Sequence, residues 1–184
     1  PVTREKLEEL RRVLREHIFA TRDTGFLPEA EAHRRAENRT RYELGQDRQR
    51  YPLERLFSIA ELAANRDDGS LTQLLQALND TDPAARYWAL MGILIRGESA
   101  YATAGTAVKQ ALNDENPSVR HVAAEIVSRW GDPAEVDRAL DVLATLVDPV
   151  QNGAYIAIAA LNVVHNLGDK ADRLKPLLNE IPLI

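Results

Sequence analysis

Cysteine is absent from the 184-residue chain. That removes disulfides, thiolate metal sites and cysteine nucleophiles together, and it leaves the redox compartment open. Aromatic residues make up only 5% of the sequence, so alanine and leucine carry any close helix–helix contact. No apolar run approaches the ~20 residues that a bilayer-crossing helix needs, and no signal peptide is visible. Strong charge of one sign is missing as well. A formal net charge of −5 argues against nucleic acid or an anionic membrane as the main partner. The only methionine is Met91 and the first residue is Pro1, so the chain reads as a piece of a longer protein. Strand-like alternation occurs nowhere.

What is present is helical periodicity punctuated by turn residues. Leu7, Leu10, Leu14 and Ile18 recur at three- and four-residue spacing, predicting an amphipathic helix over Thr3–Phe19 with Thr3 as its N-cap. From Tyr51 onward such stripes follow one another. Pro52 stands at a first helical position before Leu56, Ile59, Ala60 and Ala63. Ser70 with Gln73 forms a capping box ahead of Leu71, Leu74, Leu75 and Leu78. Asp82-Pro83 opens Ala85, Trp88, Ala89, Gly92 and Ile93, ended by Gly97. Ala104, Val108, Ala111 and Leu112 come next, then Asn116-Pro117 opens Val119, Val122, Ala123, Ile126, Val127 and Trp130, ended by Gly131. Asp132-Pro133 with Glu135 caps a helix carrying Val136, Leu140, Leu143 and Val147. Asp148-Pro149 begins a longer connection to Ala157, Ala160, Leu161, Val164 and Leu167. A last short helix covers Ala171–Asn179 with Pro176 inside it.

One phrase recurs. Leu78-Asn79-Asp80-Thr81-Asp82-Pro83-Ala84-Ala85-Arg86 returns as Leu112-Asn113-Asp114-Glu115-Asn116-Pro117-Ser118-Val119-Arg120, an offset of 34 residues. A period of that length joining two helical stripes marks stacked helix pairs. Arg86 and Arg120 then form a ladder, each able to reach Asp80 or Asp114. A third copy departs from the pattern, with Gly153 and Ala154 where Val119 and Arg120 set the precedent.

Between the first helix and the repeats lies Ala20–Arg50, with seven arginines against six acids and breaks at Gly25, Pro28 and Gly45. Two readings stay open. One is a solvated linker with a short helix over Glu29–Arg39. The other is an ordered arm whose Phe26, Leu27, Tyr42 and Leu44 dock on a neighbouring surface. The chain thus divides into residues 1–50, helix and charged arm, and residues 51–184, the repeats.

The Asp-Pro-x-x-Arg turn into a second helix resembles that of HEAT repeats, over about Tyr51 to Asp169. The resemblance implies an all-α, right-handed α–α superhelix of the HEAT/armadillo kind. A narrower likeness rests on Thr21-Arg22-Asp23-Thr24-Gly25-Phe26-Leu27-Pro28-Glu29, Tyr42-Glu43, Tyr51-Pro52-Leu53-Glu54-Arg55 and Arg86-Tyr87-Trp88-Ala89. These strings are similar to the region after the catalytic domain in a subgroup of bacterial sulfatases. That resemblance implies a parent that is a secreted or periplasmic, calcium-dependent hydrolase of sulfate esters. It also implies that Arg22, Asp23, Phe26, Leu27, Glu29 and Tyr42 take part in docking on the catalytic domain. The sulfatase signature, Cys or Ser followed by x-Pro-x-Arg, follows none of Ser58, Ser70, Ser99, Ser118 and Ser128. No catalytic residue carries over, and no cofactor is expected of this chain itself.

Other candidate sites weigh less. His17, His33, His121 and His165 lack ligand spacing. Turn and cap duty accounts for Asp67-Asp68 and Asp80/Asp82 better than calcium does, because no closing Glu follows. Trp88 falls on the core stripe, while Tyr87 and Tyr101 are surface candidates. The leading expectation is a non-catalytic accessory module whose partner is its own sulfatase domain or another protein. A free-standing interaction scaffold and a DNA-binding HEAT-like protein are the alternatives, the last disfavoured by the few bases on helices opened by Pro83, Pro117 and Pro149.

Overall fold

A computed structural model describes residues 3–181, and every regular element among them is helical. Helix α1 spans Arg4–Thr21, α2 Glu29–Ala36, α3 Arg41–Gln46, α4 Leu53–Ala64, α5 Asp68–Ala77 and α6 Pro83–Arg96. After them come α7 Glu98–Ala111, α8 Pro117–Trp130, α9 Pro133–Leu146, α10 Pro149–Asn152, α11 Ala154–Leu167 and α12 Lys175–Leu178. Helices α4, α6, α8 and α11 pack one upon the next as a row, and α5, α7 and α9 lie against that row. This is an α–α solenoid, as the 34-residue offset predicts.

The repeated phrase folds the same way twice. Asp80 Oδ1 accepts from the Asp82 amide at 2.7 Å, and Asp114 Oδ1 from the Asn116 amide at 2.8 Å. Asp82 then caps α6 through the Ala84 amide at 2.8 Å, and Asn116 caps α8 through the Ser118 amide at 2.9 Å. Pro83 and Pro117 fill the first turn, where the missing N–H costs nothing. Leu78 and Leu112 end α5 and α7 in the same right-handed conformation.

Small side chains set the spacing. Ala84, Ala85, Ala89, Ala123 and Ala124 are fully buried. At Gly92 a Cβ would stand 2.6 Å from Leu74 Cδ1 and 3.0 Å from Ala63 Cα, so this glycine is where α4, α5 and α6 meet most closely. Gly97 joins α6 to α7 at φ +81°, a conformation that suits glycine. Gly131 ends α8 differently. Its φ is −71°, and what excludes a side chain there is the Val127 carbonyl, 2.7 Å from where a Cβ would sit.

Several local expectations are corrected. The cap of α5 is Asp67, which accepts from the Ser70 amide at 2.8 Å, so Ser70 stands inside the first turn rather than capping it. An aspartate one turn upstream outcompetes a serine hydroxyl. Pro52 occupies the N-cap rather than the first position of α4. The longer connection after Asp148-Pro149 is as expected, and it holds the four-residue α10 before α11 begins at Ala154. The final helix is split: Gly168–Leu174 is a 3-10 helix and α12 starts at Lys175, because Pro176 is accepted only in a first turn.

Ala20–Arg50 is ordered against the repeats. Helix α2 is shorter than Glu29–Arg39, ending at Ala36 with Glu37 at φ +52°. Ile18, Leu27, Ala32, Ala36 and Leu44 share one apolar cluster with Leu53, Leu56, Phe57, Leu74, Ala85 and Ala89. A second cluster runs from Leu90 to Leu174. Residue 50 therefore marks a change of pattern and not a change of core.

Candidate functional site

The arm is held to the repeats at two places. At the first, Arg22 ends α1 in the left-handed conformation, φ +55°. Its buried guanidinium donates to the Gly45 carbonyl at 2.6 Å and to the Tyr51 carbonyl at 3.0 Å. The Tyr51 hydroxyl returns a hydrogen bond to the Asp23 carbonyl. Burial pushes that phenol well above its ordinary range. Phe26 meets Phe57 edge to face at 5.3 Å, and Trp88 Nε1 donates to the Phe26 carbonyl at 2.8 Å. Three of the four strings that carry the narrower likeness thus meet here, while Tyr42-Glu43 stands apart, with Tyr42 exposed and Glu43 bonded to Thr40.

At the second, α2 crosses the edge where the Asp/Asn-Pro turns lie. Glu31 is 2% exposed and accepts from Arg34, from Arg35 Nε at 2.9 Å and from Asn116 Nδ2 at 2.7 Å. Burial alone would raise its carboxyl pKa, but the three donors outweigh it and hold the group below the ordinary value. Arg35 turns its other side to Asp82, with Nη1–Oδ2 at 3.0 Å, and to the Arg50 carbonyl at 2.9 Å. Caps of two successive repeats, Asp82 and Asn116, are therefore tied by one arm helix. His33 stacks on Tyr155 of α11 at 4.1 Å between ring centroids, extending the seam.

Beneath it runs the arginine ladder. Arg86 grips Asp114 with two parallel bonds, Nε–Oδ2 2.7 Å and Nη2–Oδ1 2.8 Å, and donates to the Asp80 carbonyl at 2.8 Å. Arg55 pairs with Asp80 one step earlier. Arg120 reaches the Asp114 carbonyl at 3.4 Å. The next acid in register, Asp148, caps α10 through the Val150 amide at 2.8 Å, so the ladder ends there.

Of the six arm residues expected at a docking surface, Arg22 and Leu27 are buried inside the chain and Phe26 is half-buried. Asp23, Glu29 and Tyr42 face solvent, Tyr42 at 74% exposure. Tyr87 lies edge to face on Trp88 at 5.7 Å, and Tyr101 donates to Glu135 at 3.1 Å. Burial first, and the Glu135 carboxylate after it, push the Tyr101 phenol up to about 12. Among the described residues no three His, Asp or Glu side chains are grouped to hold a metal ion, and no helix is long and apolar enough to cross a membrane. The sequence reading missed Glu31, Arg35, Arg55 and the Thr40–Glu43 capping box of α3. Only the box had a readable signal.

Helix α1 behaves unlike the rest. Only Ile18 is buried, while Leu7, Leu10, Val13 and Leu14 are 42, 50, 48 and 58% exposed. Its last two turns reach the array through Phe19 on Phe57 at 5.1 Å and Arg15 on Glu61 at 2.8 Å. The apolar stripe of this amphipathic helix is open to solvent over its first three turns.

A family model of HEAT repeats matches residues 71–162, half of the chain. No curated protein and no solved structure matches it. Repeats of this kind commonly mediate protein interactions through the extended surfaces that stacking creates. The match spans α6, α7 and α8 whole, where the caps and arginines recur in register. By fold, repeat and match, the chain belongs to the HEAT repeat family.

Proposed function

We propose that the chain is a non-catalytic docking module, the HEAT-like region that follows the catalytic domain of a bacterial sulfatase and packs against it. The coarse part of this reading, an interaction scaffold, rests on the family. The finer part is supported by the meeting of three of the four sulfatase-like strings, where Arg22 binds Tyr51, Tyr51 binds Asp23 and Trp88 binds Phe26. In this reading those residues build the arm, and docking belongs to the surface they leave free, including Asp23, Glu29 and Tyr42. Calcium and the sulfate ester belong to the parent's catalytic domain.

The test compares the full-length parent with a form lacking residues 1–184. Loss of folding, or a change in kcat/KM that depends on substrate size, is the expected outcome. Unchanged folding and kinetics across small and polymeric sulfate esters would contradict it. A free-standing scaffold is the second reading, favoured by Tyr155 and Ile158, which keep 42 and 54% of their surface exposed on the last repeat. It predicts that the isolated chain captures a partner without any sulfatase domain.

A further inference from the structure

Helix α1 is 18 residues long, about 27 Å at the usual rise. In proteins most of a helix's stability comes from packing an amphipathic face rather than from helix propensity. Here the last two turns are anchored and the three before them present Leu7, Leu10, Val13 and Leu14 to solvent. Single exposed leucines are ordinary, but a continuous stripe marks a contact surface.

The charges around the stripe say what covers it. Arg4 and Arg11 lie three or four residues from Leu7, and Arg11 lies three from Leu14, so both edge the stripe on one side. Lys6, four before Leu10 and seven before Val13, lies beside those two. The acids Glu5, Glu9 and Glu16 fall on the opposite face, and Glu8 lies beside Arg4 and Arg11 on the side away from the stripe. The cations' present partners are weak ones: Arg11–Glu8 at 3.0 Å and Lys6–Glu9 at 2.9 Å are exposed pairs that rearrange at little cost.

We propose that the Leu7–Leu10–Leu14 face of α1, edged by Arg4, Arg11 and Lys6, docks an amphipathic helix of a partner protein whose own apolar stripe is edged by Asp or Glu. The inference rests on the interaction-module reading and names the chemistry of the partner. A second copy of α1 does not fit, because either orientation sets cation against cation. A lipid surface fits poorly too. Residues 4–16 hold five bases against four acids and the chain carries −5 overall, which gives anionic headgroups little to attract.

Two labelled helical peptides test this, each with leucines at three- and four-residue spacing, one edged by Glu and one by Lys, titrated into the chain by fluorescence anisotropy. The Glu-edged peptide binds at least tenfold more tightly, Leu10→Asp weakens it at least tenfold, and the triple variant Arg4→Glu, Lys6→Glu, Arg11→Glu reverses the preference. Circular dichroism of each variant checks that the fold is kept, which the exposure of these positions predicts. Equal binding of both peptides, no binding of either, or binding that survives Leu10→Asp overturns the inference. So does partition onto phosphatidylserine vesicles in place of peptide binding. Loss on Ile158→Asp but not on Leu10→Asp overturns it while leaving the interaction module standing. Failure of that broader reading shows instead in the deletion comparison, which samples every surface of the chain.

Discussion

Asn116 does two jobs with one side chain. Its oxygen caps α8 through the Ser118 amide at 2.9 Å, and its nitrogen donates to the buried Glu31 at 2.7 Å. Asn116→Ala removes a cap worth about 1 kcal/mol and strips a buried carboxylate of one donor, for a total cost of about 2–3 kcal/mol. Asn116→Asp keeps the cap but sets a second carboxylate against Glu31, so at neutral pH it is destabilised well beyond the loss of one hydrogen bond. Urea denaturation of both variants measures this. Ser128 is the opposite case. Its hydroxyl is fully buried without a hydrogen-bond partner, so Ser128→Ala raises the stability by about 1 kcal/mol, read as a higher urea midpoint at unchanged slope.

His121 gives the chain an acid response. Burial pushes its imidazole from the ordinary 6.5 down to about 4, against the weaker upward pull of the Pro117 carbonyl. As pH falls the unfolded chain takes up this proton first. The stability held by the neutral ring is whole above the unfolded value and is lost between about pH 6.5 and 4, to a limit of about 3 kcal/mol. His121→Gln flattens the stability profile across that window. Glu31, held below its ordinary value, adds its own loss only at lower pH.

Among the elements, α1 and α2 are a contrast in how much of a helix the sequence reveals. The stripe of α1 was plain from spacing, yet spacing says only that a face is apolar and not which surface covers it. Because only the last two turns pack, deleting residues 1–12 should change the unfolding free energy by less than about 0.5 kcal/mol. A loss of several kcal/mol would mean that α1 is part of the core. Helix α2 was nearly hidden. EAEAHRRA carries little apolar signal, and its burial rests on Glu31 and Arg35 finding Asp82 and Asn116, partners far along the chain. Nothing local announces such pairs. The repeat helices α6 and α8 were legible because cap and proline act within one turn and recur with the arginine at a fixed 34-residue offset.

Across the whole molecule, stability should follow the stack. Each repeat is bound to its neighbours by buried alanines and valines, and two of them also by the Arg86–Asp114 rung, so cooperativity passes from one helix pair to the next. The arm extends that cooperativity by tying two turns from outside. The 34-residue period foretold the solenoid, while the place of residues 20–50 depended on contacts no periodicity encodes. The third repeat slipped register for a related reason: Asp148-Pro149 keeps the local cap signal but uses it on α10.

Hydrogen exchange followed by mass spectrometry tests most directly whether the arm folds as part of the array. The amides of Ala32–Ala36 and Leu44 should exchange as slowly as those of Leu56–Ala60 in α4, with which they share a core, and far more slowly than those of Leu7–Leu10. Arm amides exchanging at the rate of an unfolded peptide, while α4 to α8 stay protected, would contradict the account.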